Sequence, residues 1–346
     1  MKKFLKRSKK DIIQDTPAKI TNETVAEHRE RVLAGGRKFK YPVQYQRHKL
    51  IRNTVLISVG ALILLIVLGW HQLYVAQNSS KLFYRITQLV PVPVASVNGE
   101  QVRYSDYLMR YRSSVYYLQQ QNTLNLNSKD GKRQSEFVKR QEMDRAEKNA
   151  YVRQLARKHG IKVSDEEVMN FIKRDTDSRS VSLNAYEKTV LLTFYDWSLD
   201  EYKSVVKDEL LKRKVRLTVD VTARKRIEDL QQQVIGGADM ATVATASSED
   251  ETTKANGGDS GELSLKSQDP HGLIAAAQKL QKDQVSPLIQ GVDAYYFIKL
   301  IDKNDKMVHF RLVSVKLTQF DKDFAQLRKD NKINEYITIN EQTENR

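Results

Sequence analysis

Residues 54–76 read TVLISVGALILLIVLGWHQLYVA. From Thr54 to Gly69 the run carries no charge and is almost entirely Val, Ile, Leu, Ala and Gly. About 20 apolar residues in a helix span the hydrocarbon core of a bilayer. Trp70 and Tyr74 follow, amphipathic rings suited to the water–lipid interface. A soluble core helix rarely runs this long without a polar residue. A cleaved signal peptide fits no better, because a long charged segment precedes the run and no small-x-small site follows it. The sequence therefore predicts one uncleaved membrane anchor over 54–76.

The flanks set its direction. Residues 1–53 hold 15 Lys and Arg against 5 Asp and Glu, with Arg37, Lys38, Lys40, Arg47, Lys49 and Arg52 close to the run. Just beyond it only Lys81 and Arg85 appear. An excess of Lys and Arg marks the cytoplasmic side, so the bulk of the chain, from about Gln77, is expected outside the cytoplasm. The tail itself is polar with little periodicity and reads as a solvated segment. One alternative is a basic patch against anionic headgroups, worth about 1 kcal/mol per nearby Lys or Arg. Contact with RNA or ribosomes is a third.

The net charge of +15 belongs mostly to this tail, which contributes about +10. The remainder is only mildly basic, so no nucleic-acid partner is expected. There is no Cys, which excludes thiol nucleophiles and Cys-based metal sites. The six His are scattered without metal-ligand spacing, so no metal and no cofactor are expected.

Beyond the anchor, residues 77–92 read as a linker that Pro91 and Pro93 stiffen. Val94 to Val97 is a short strand, Asn98-Gly99 a tight turn, and Ser105 a cap for the helix that follows. Residues 119–132 read as a loop, and a long helix resumes near Ser135. Gly160 ends it in a left-handed cap. Ser164 and Glu167 form a capping box for a helix with Val168, Phe171 and Ile172 on its apolar face. Another helix is expected over about 199–214. Next, VRLTVDV (215–221) alternates as a strand, and Thr222 caps a helix that Gly236-Gly237 ends. Short helices are expected at 240–244 and 274–280, an edge strand with Pro287 at 285–289, and a buried strand at 295–301. A nucleotide-binding reading of the glycines at 257–261 fails, because no Lys-Ser/Thr pair or strand-loop-helix context accompanies them.

Two resemblances emerge. The Val97-Asn98-Gly99 turn with its helix, followed by Gly-Ile-x-Val-Ser-Asp-x-Glu-Val at 160–168, resembles the N-terminal chaperone domain of SurA-like exported folding factors, over about 94–215. The later stretches GADMA (237–241), residues 248–261 with Gly257-Gly258-Asp259-Ser260-Gly261, QVSPL (284–288) and 294–301 resemble a parvulin-type (PpiC family) peptidyl-prolyl isomerase, over about 221–303. The implied fold is α+β: a single N-terminal transmembrane helix, a mostly helical SurA-like domain, and an inserted parvulin-like α/β domain with a small antiparallel sheet. The expected boundaries are 1–53 tail, 54–76 anchor, 77–92 linker, 93–215 chaperone domain, 216–305 parvulin-like domain, and 306–346 a C-terminal strand and helix completing the fold.

Parvulins resemble one another in a His on the first strand, a Cys or Asp in the Ser-x-Asp loop, an apolar pocket with Phe and Met, and a His on the last strand. Here Asp250 matches the loop acid and Tyr296 stands at the last-strand His. Leu273 falls where a pocket Phe is expected, and Gln278 where a second aromatic is common. Met240 joins Leu273 and Gln278 as a candidate substrate contact. Residues 215–221 carry no His. A further strand, MVHFRLVSVKL (307–317), carries His309 and could fill the first-strand slot. The candidate catalytic set is Asp250, Tyr296 and His309. The resemblance implies a membrane-tethered factor that binds unfolded or nascent exported proteins, with a degenerate isomerase site. The alternative is an active peptidyl-prolyl isomerase. Further implied partners are membrane lipid, through the anchor, and the export machinery.

Overall fold

The computed structural model describes residues 20–40, 42–121, 123 and 125–340. The chain divides into two compact units, Met1–His71 and Gln72–Arg346. Among its described residues the first unit is two helices, α1 (Asn22–Lys40) and α2 (Pro42–Trp70). α1 corrects the reading of the tail as structureless over this span. Its Glu, Ala, Arg and Leu are good helix formers without any apolar stripe wide enough to signal a buried face. Residues 1–19 of that tail lie outside the described residues. Among the described residues one helical stretch, Lys49–Val75, is long and apolar enough to cross a membrane, and residues 51–68 are all exposed.

The second unit opens with α3 (Lys81–Leu89) and a hairpin of β1 (Pro93–Val97) and β2 (Glu100–Arg103). Asn98 and Gly99 both take positive φ, 49° and 83°, the demand of a two-residue hairpin turn. α4 (Tyr104–Gln120) starts one residue before the predicted cap Ser105, and α5 (Lys129–Lys158) starts where Ser128 accepts the Gly131 N–H. α6 (Asp165–Ser178) carries the expected capping box: Ser164 Oγ accepts the Glu167 N–H at 3.1 Å and Glu167 accepts the Ser164 N–H at 2.9 Å. Its Val168 and Ile172 are buried, while Phe171 is exposed. The short α7 (Leu183–Tyr186) runs on into a wide π-helical turn, Glu187–Tyr195, that no periodicity announced.

The main correction comes at α8 (Leu199–Val219), which runs through the segment expected to be a strand. A second capping box, Ser198 with Glu201, starts it. Packing then overrides the β-branched run: Val215 is fully buried in the helical core while Leu217 packs toward the sheet. The cap of α9 (Val221–Ile235) is Asp220, not Thr222. α10 (Met240–Ser247), β3 (Asp259–Ser264) and α11 (Leu273–Ala277) follow. The predicted edge strand shrinks to β4 (Ile289–Gln290) and a lone bridge from Val285 to Lys299, because Pro287 between them has no N–H to pair. β5 (Ala294–Lys303) and β6 (Met307–Lys316) are long and buried. α12 (Gln319–Lys329) is the expected C-terminal helix, and β7 (Ile333–Glu335) is the last element before residue 340.

The unit is mostly helical, with two small antiparallel sheets of order β2-β1-β7 and β3-β6-β5-β4. β7 pairs with β1, setting Ala95 against Glu335. Phe320, Phe324, Ile337 and Ile339 share one core with Leu108, Met143 and Val152 of α4 and α5. The four-stranded sheet is covered on both faces. Tyr295, Phe297, Val313 and Val315 meet α9 and α10, whereas Tyr296, Ile298, Phe310 and Leu312 meet α11.

One carboxylate ties the chain together where it enters and leaves this sheet region. Asp220 is 2 % exposed. Its Oδ1 accepts the Ala223 N–H at 2.9 Å, and its Oδ2 accepts those of Thr318 and Gln319 at 2.7 and 2.9 Å. Replacing it strands three backbone donors and removes a helix cap. Asp220→Ala should cost on the order of 2–4 kcal/mol, read from chemical denaturation. A melt indistinguishable from the parent would refute this role.

A second buried carboxyl joins α5 to the C-terminal return. Glu147 is fully buried. Its Oε2 accepts from Arg328 of α12 at 2.7 Å, and its Oε1 lies 3.8 Å from Arg140, which also bonds Glu335 of β7 at 2.7 and 2.9 Å. Burial and the facing Glu335 charge outweigh the two guanidinium groups and push its pKa up to about 7. A raised carboxyl pKa means the folded state holds a proton that the unfolded chain releases above about pH 4.5. This contribution is therefore full below that pH and lost as pH rises through 7. Stability should rise between pH 8 and 5, and Glu147→Gln should flatten that slope in melts across the range. Persistence of the full slope in the variant would show that other groups set it.

Candidate functional site

The sheet brings three of the six predicted site residues to one place. Tyr296 projects from β5 on the α11 face, and Leu273, the first residue of α11, is half-buried against that same cluster. Asp250 is half-buried, and its Oδ1 accepts the Thr253 N–H at 2.9 Å and hydroxyl at 2.8 Å. Its charge is close enough to act on Tyr296. The phenol's pKa is pushed up, first by burial and then by the negative charges of Asp293 and Asp250. Tyr296 is thus a neutral hydrogen-bond donor, aimed at Asp293 at 3.5 Å.

The other three lie elsewhere. β6 does occupy a central slot, between β3 and β5. Its register, however, sets Ser314 opposite Tyr296. Alternation puts His309 on the same side as Val313 and Val315, facing away from Tyr296. There His309 Nε2 sits 2.7 Å from Asp259 Oδ1. Burial works against the Asp259 charge, but the Gly261 N–H, His309 and Arg311 hold its pKa low. Met240 is 2 % exposed in the core beneath the α9–α10 face, so it cannot line a pocket on the other side. Gln278 is exposed at the end of α11, where its carbonyl accepts from Lys303 at 2.6 Å.

Sequence reasoning missed His271. It lies in the turn ahead of α11, with its ring centroid 5.0 Å from that of Tyr296. Its Nδ1 accepts the Val292 N–H at 3.3 Å and lies 3.8 Å from Asp293. The available signal was its place two residues before Leu273 in a Pro-His-Gly turn. Gly291 closes the site from below: a Cβ there would come within 2.4 Å of the Tyr296 ring. The result is an apolar floor with a neutral phenol, one imidazole and carboxylates at its rim. Neither member of the Tyr296–Ser314 pair supplies an imidazole.

A second concave region lies among the helices. A cleft of roughly 510 Å³ between α3, α4, the π-helical turn and α8 is lined by Tyr84, Met109, Leu192, Tyr195 and Trp197 among a majority of charged and polar residues, including Arg85, Asp106, Asp200 and Glu201. Two of its rings, Tyr195 and Trp197, stack at 5.2 Å, and behind the lining the series continues to Tyr117 on Tyr195 at 5.4 Å and Tyr202 on Trp197 at 6.5 Å. Asp196, in a left-handed conformation (φ 50°), ties the wall together through Lys81 at 3.1 Å and Arg112 at 3.4 Å. The sequence signal was the run LLTFYDW (191–197), which has no helical period of its own.

Two family models match the chain in sequence. The SurA-like N-terminal domain model matches residues 44–216, half of the chain, and the PPIC-type PPIASE domain model matches residues 211–302. The foldase protein PrsA of Caldanaerobacter subterraneus subsp. tengcongensis is 28% identical over 229 residues, covering 60% of this chain and 72% of the relative. Among solved structures, the peptidylprolyl isomerase PrsA from Bacillus anthracis is 18% identical, over 51% of this chain and 82% of that one, with a TM-score of 0.19. The foldase protein PrsA from Streptococcus pneumoniae is 20% identical, over 53% and 74%, with a TM-score of 0.18. The chain belongs to the SurA-like, parvulin-type family of protein-folding factors.

Proposed function

We propose that this protein is a membrane-tethered, extracytoplasmic holder of unfolded exported chains, whose parvulin-like pocket binds peptide without appreciable isomerase activity. The observation that carries the holding role is the aromatic cleft of the helical region. Stacked rings offer large rigid apolar area at low entropic cost, and they tolerate many client sequences. The Lys and Arg excess ahead of the apolar helix supports a cytoplasmic N-terminus. A tether of this kind raises the local concentration of binding sites beside the export machinery. The parvulin-like region is read as an insertion, about 216–305, whose sheet is completed by β6 of the following segment. Support comes from the β1–β7 pairing and from the core that Phe320 and Phe324 share with α4 and α5.

The degenerate pocket follows from differential binding. Acceleration requires groups that grip the twisted amide more tightly than the planar one. Amide rotation faces a barrier of about 20 kcal/mol, and the pocket presents an apolar floor with Tyr296 and Asp250 but no strand imidazole. The detergent-solubilised protein should slow aggregation of an unfolded model protein while leaving cis-to-trans isomerisation of a proline tetrapeptide near its uncatalysed rate. Trp197→Ala should weaken client binding by about 5- to 30-fold, the worth of one buried aromatic anchor. Robust isomerase activity would instead establish the catalytic alternative, and unimpaired holding by the Trp197 variant would move the client site elsewhere.

Orientation has its own test. Protease added to intact cells should digest the chain beyond residue 76 and spare residues 1–53. Protection of the large C-terminal part would reverse the topology.

A further inference from the structure

The Tyr296 pocket has no imidazole on its strands, yet one reaches it from the loop. His271 is held on both sides. On one, Asp269 anchors the start of α11, its two carboxylate oxygens accepting the N–H groups of Leu273 at 2.6 Å and Ala275 at 2.9 Å. On the other, Gly272 adopts φ 78°, which turns the chain sharply beside the imidazole. The ring sits 5.0 Å from Tyr296 at a 45° tilt. It is partly exposed, with its side chain at 29 %.

The hydrogen bond it receives fixes its chemistry. Nδ1 accepts the Val292 N–H at 3.3 Å. A ring nitrogen that accepts carries no hydrogen, so the proton of the neutral imidazole resides on Nε2. Among the described residues Nε2 has no hydrogen-bond partner. The pocket therefore holds a pre-oriented N–H donor at the edge of its aromatic floor. The nearby Asp293 lies on the Nδ1 side, 3.8 Å away, and does not occupy that donor.

We propose that His271 Nε2–H donates to a backbone carbonyl of a peptide seated against Tyr296 and Leu273, supplying from the loop a contact that the strands do not provide. This rests on the reading of the Tyr296 pocket as a peptide site. The ligand class is an extended segment whose prolyl or other apolar side chain packs on half-buried Leu273 at the rim of the largely buried Tyr296 ring, while the adjoining carbonyl meets His271. A prolyl segment fits well, because its tertiary amide has an acceptor oxygen and no N–H to satisfy.

The test is peptide titration of the full chain in nanodiscs, with Ala-Ala-Pro-Phe amide as probe and selective 13C labels on His and Tyr rings. The probe should shift the His271 and Tyr296 signals together. His271→Ala should weaken the affinity read at Tyr296 by about fivefold, the worth of one neutral hydrogen bond. His271→Phe, which keeps a ring over Tyr296 but has no donor, should weaken it equally. His271→Gln, whose side-chain amide can donate from a similar position, should recover most of the loss. Unchanged affinity in the Ala and Phe variants would overturn the proposal alone. A wild-type Tyr296 signal that ignores the peptide would overturn the pocket reading and this proposal with it.

Discussion

The structure depends first on a buried carboxylate at a crossing of the chain. Asp220 ends α8, caps α9, and receives the backbone of Thr318 and Gln319 where α12 begins. Arg216, one helical turn earlier, binds Leu317 O at 2.9 Å and Asp321 at 2.8 Å. Tyr295 completes the joint by donating to Leu217 O at 2.8 Å. A buried charge is tolerated only with such a full set of donors. The outgoing and returning chain are thereby fixed side by side, and both the sheet region and the helical core are positioned from that one point.

Sheet alternation then decides which residues can work together. β5 and β6 are buried on both faces, so each side chain is committed to α9 and α10 or to α11. A shift of one position exchanges the faces. His309 is excluded from the Tyr296 pocket by this alternation, and Met240 because α10 packs on the opposite face, although both are of the right chemical type. His271 escapes the constraint because a loop, unlike a strand, does not prescribe the direction of its side chains.

Local signals in the sequence were legible wherever their physics is local. The Asn98-Gly99 turn, the left-handed Gly160, and the Ser164–Glu167 box all depend on a few neighbouring residues. So did the strand character of residues 307–317. Residues 215–221 were misread because β-branched alternation is also compatible with a helix whose two sides meet different cores, as Val215 and Leu217 do. The helical path through residues 183–195 was missed, since a π-helical turn breaks the period that a helix is recognised by. Of the candidate site, Asp250, Leu273 and Tyr296 were named from their order along the chain, and the fold sets them near one another. The side on which His309 faces depends on register with β5, and the approach of His271 depends on a long-range packing of its loop. Neither is written in spacing.

The pairing of β1 with β7 has a consequence for how the molecule comes into being. The middle strand of that sheet is made early in the chain, and its outer neighbour is among the last segments described. Bringing such distant segments together carries a large loop-closure entropy, and the contacts that offset it form late. During synthesis, β1 and the apolar flanks of α4 and α5 must wait uncovered until β7 arrives. A factor built this way spends its own assembly as an incompletely folded chain, exposed to the same hazards of aggregation as any late-closing protein.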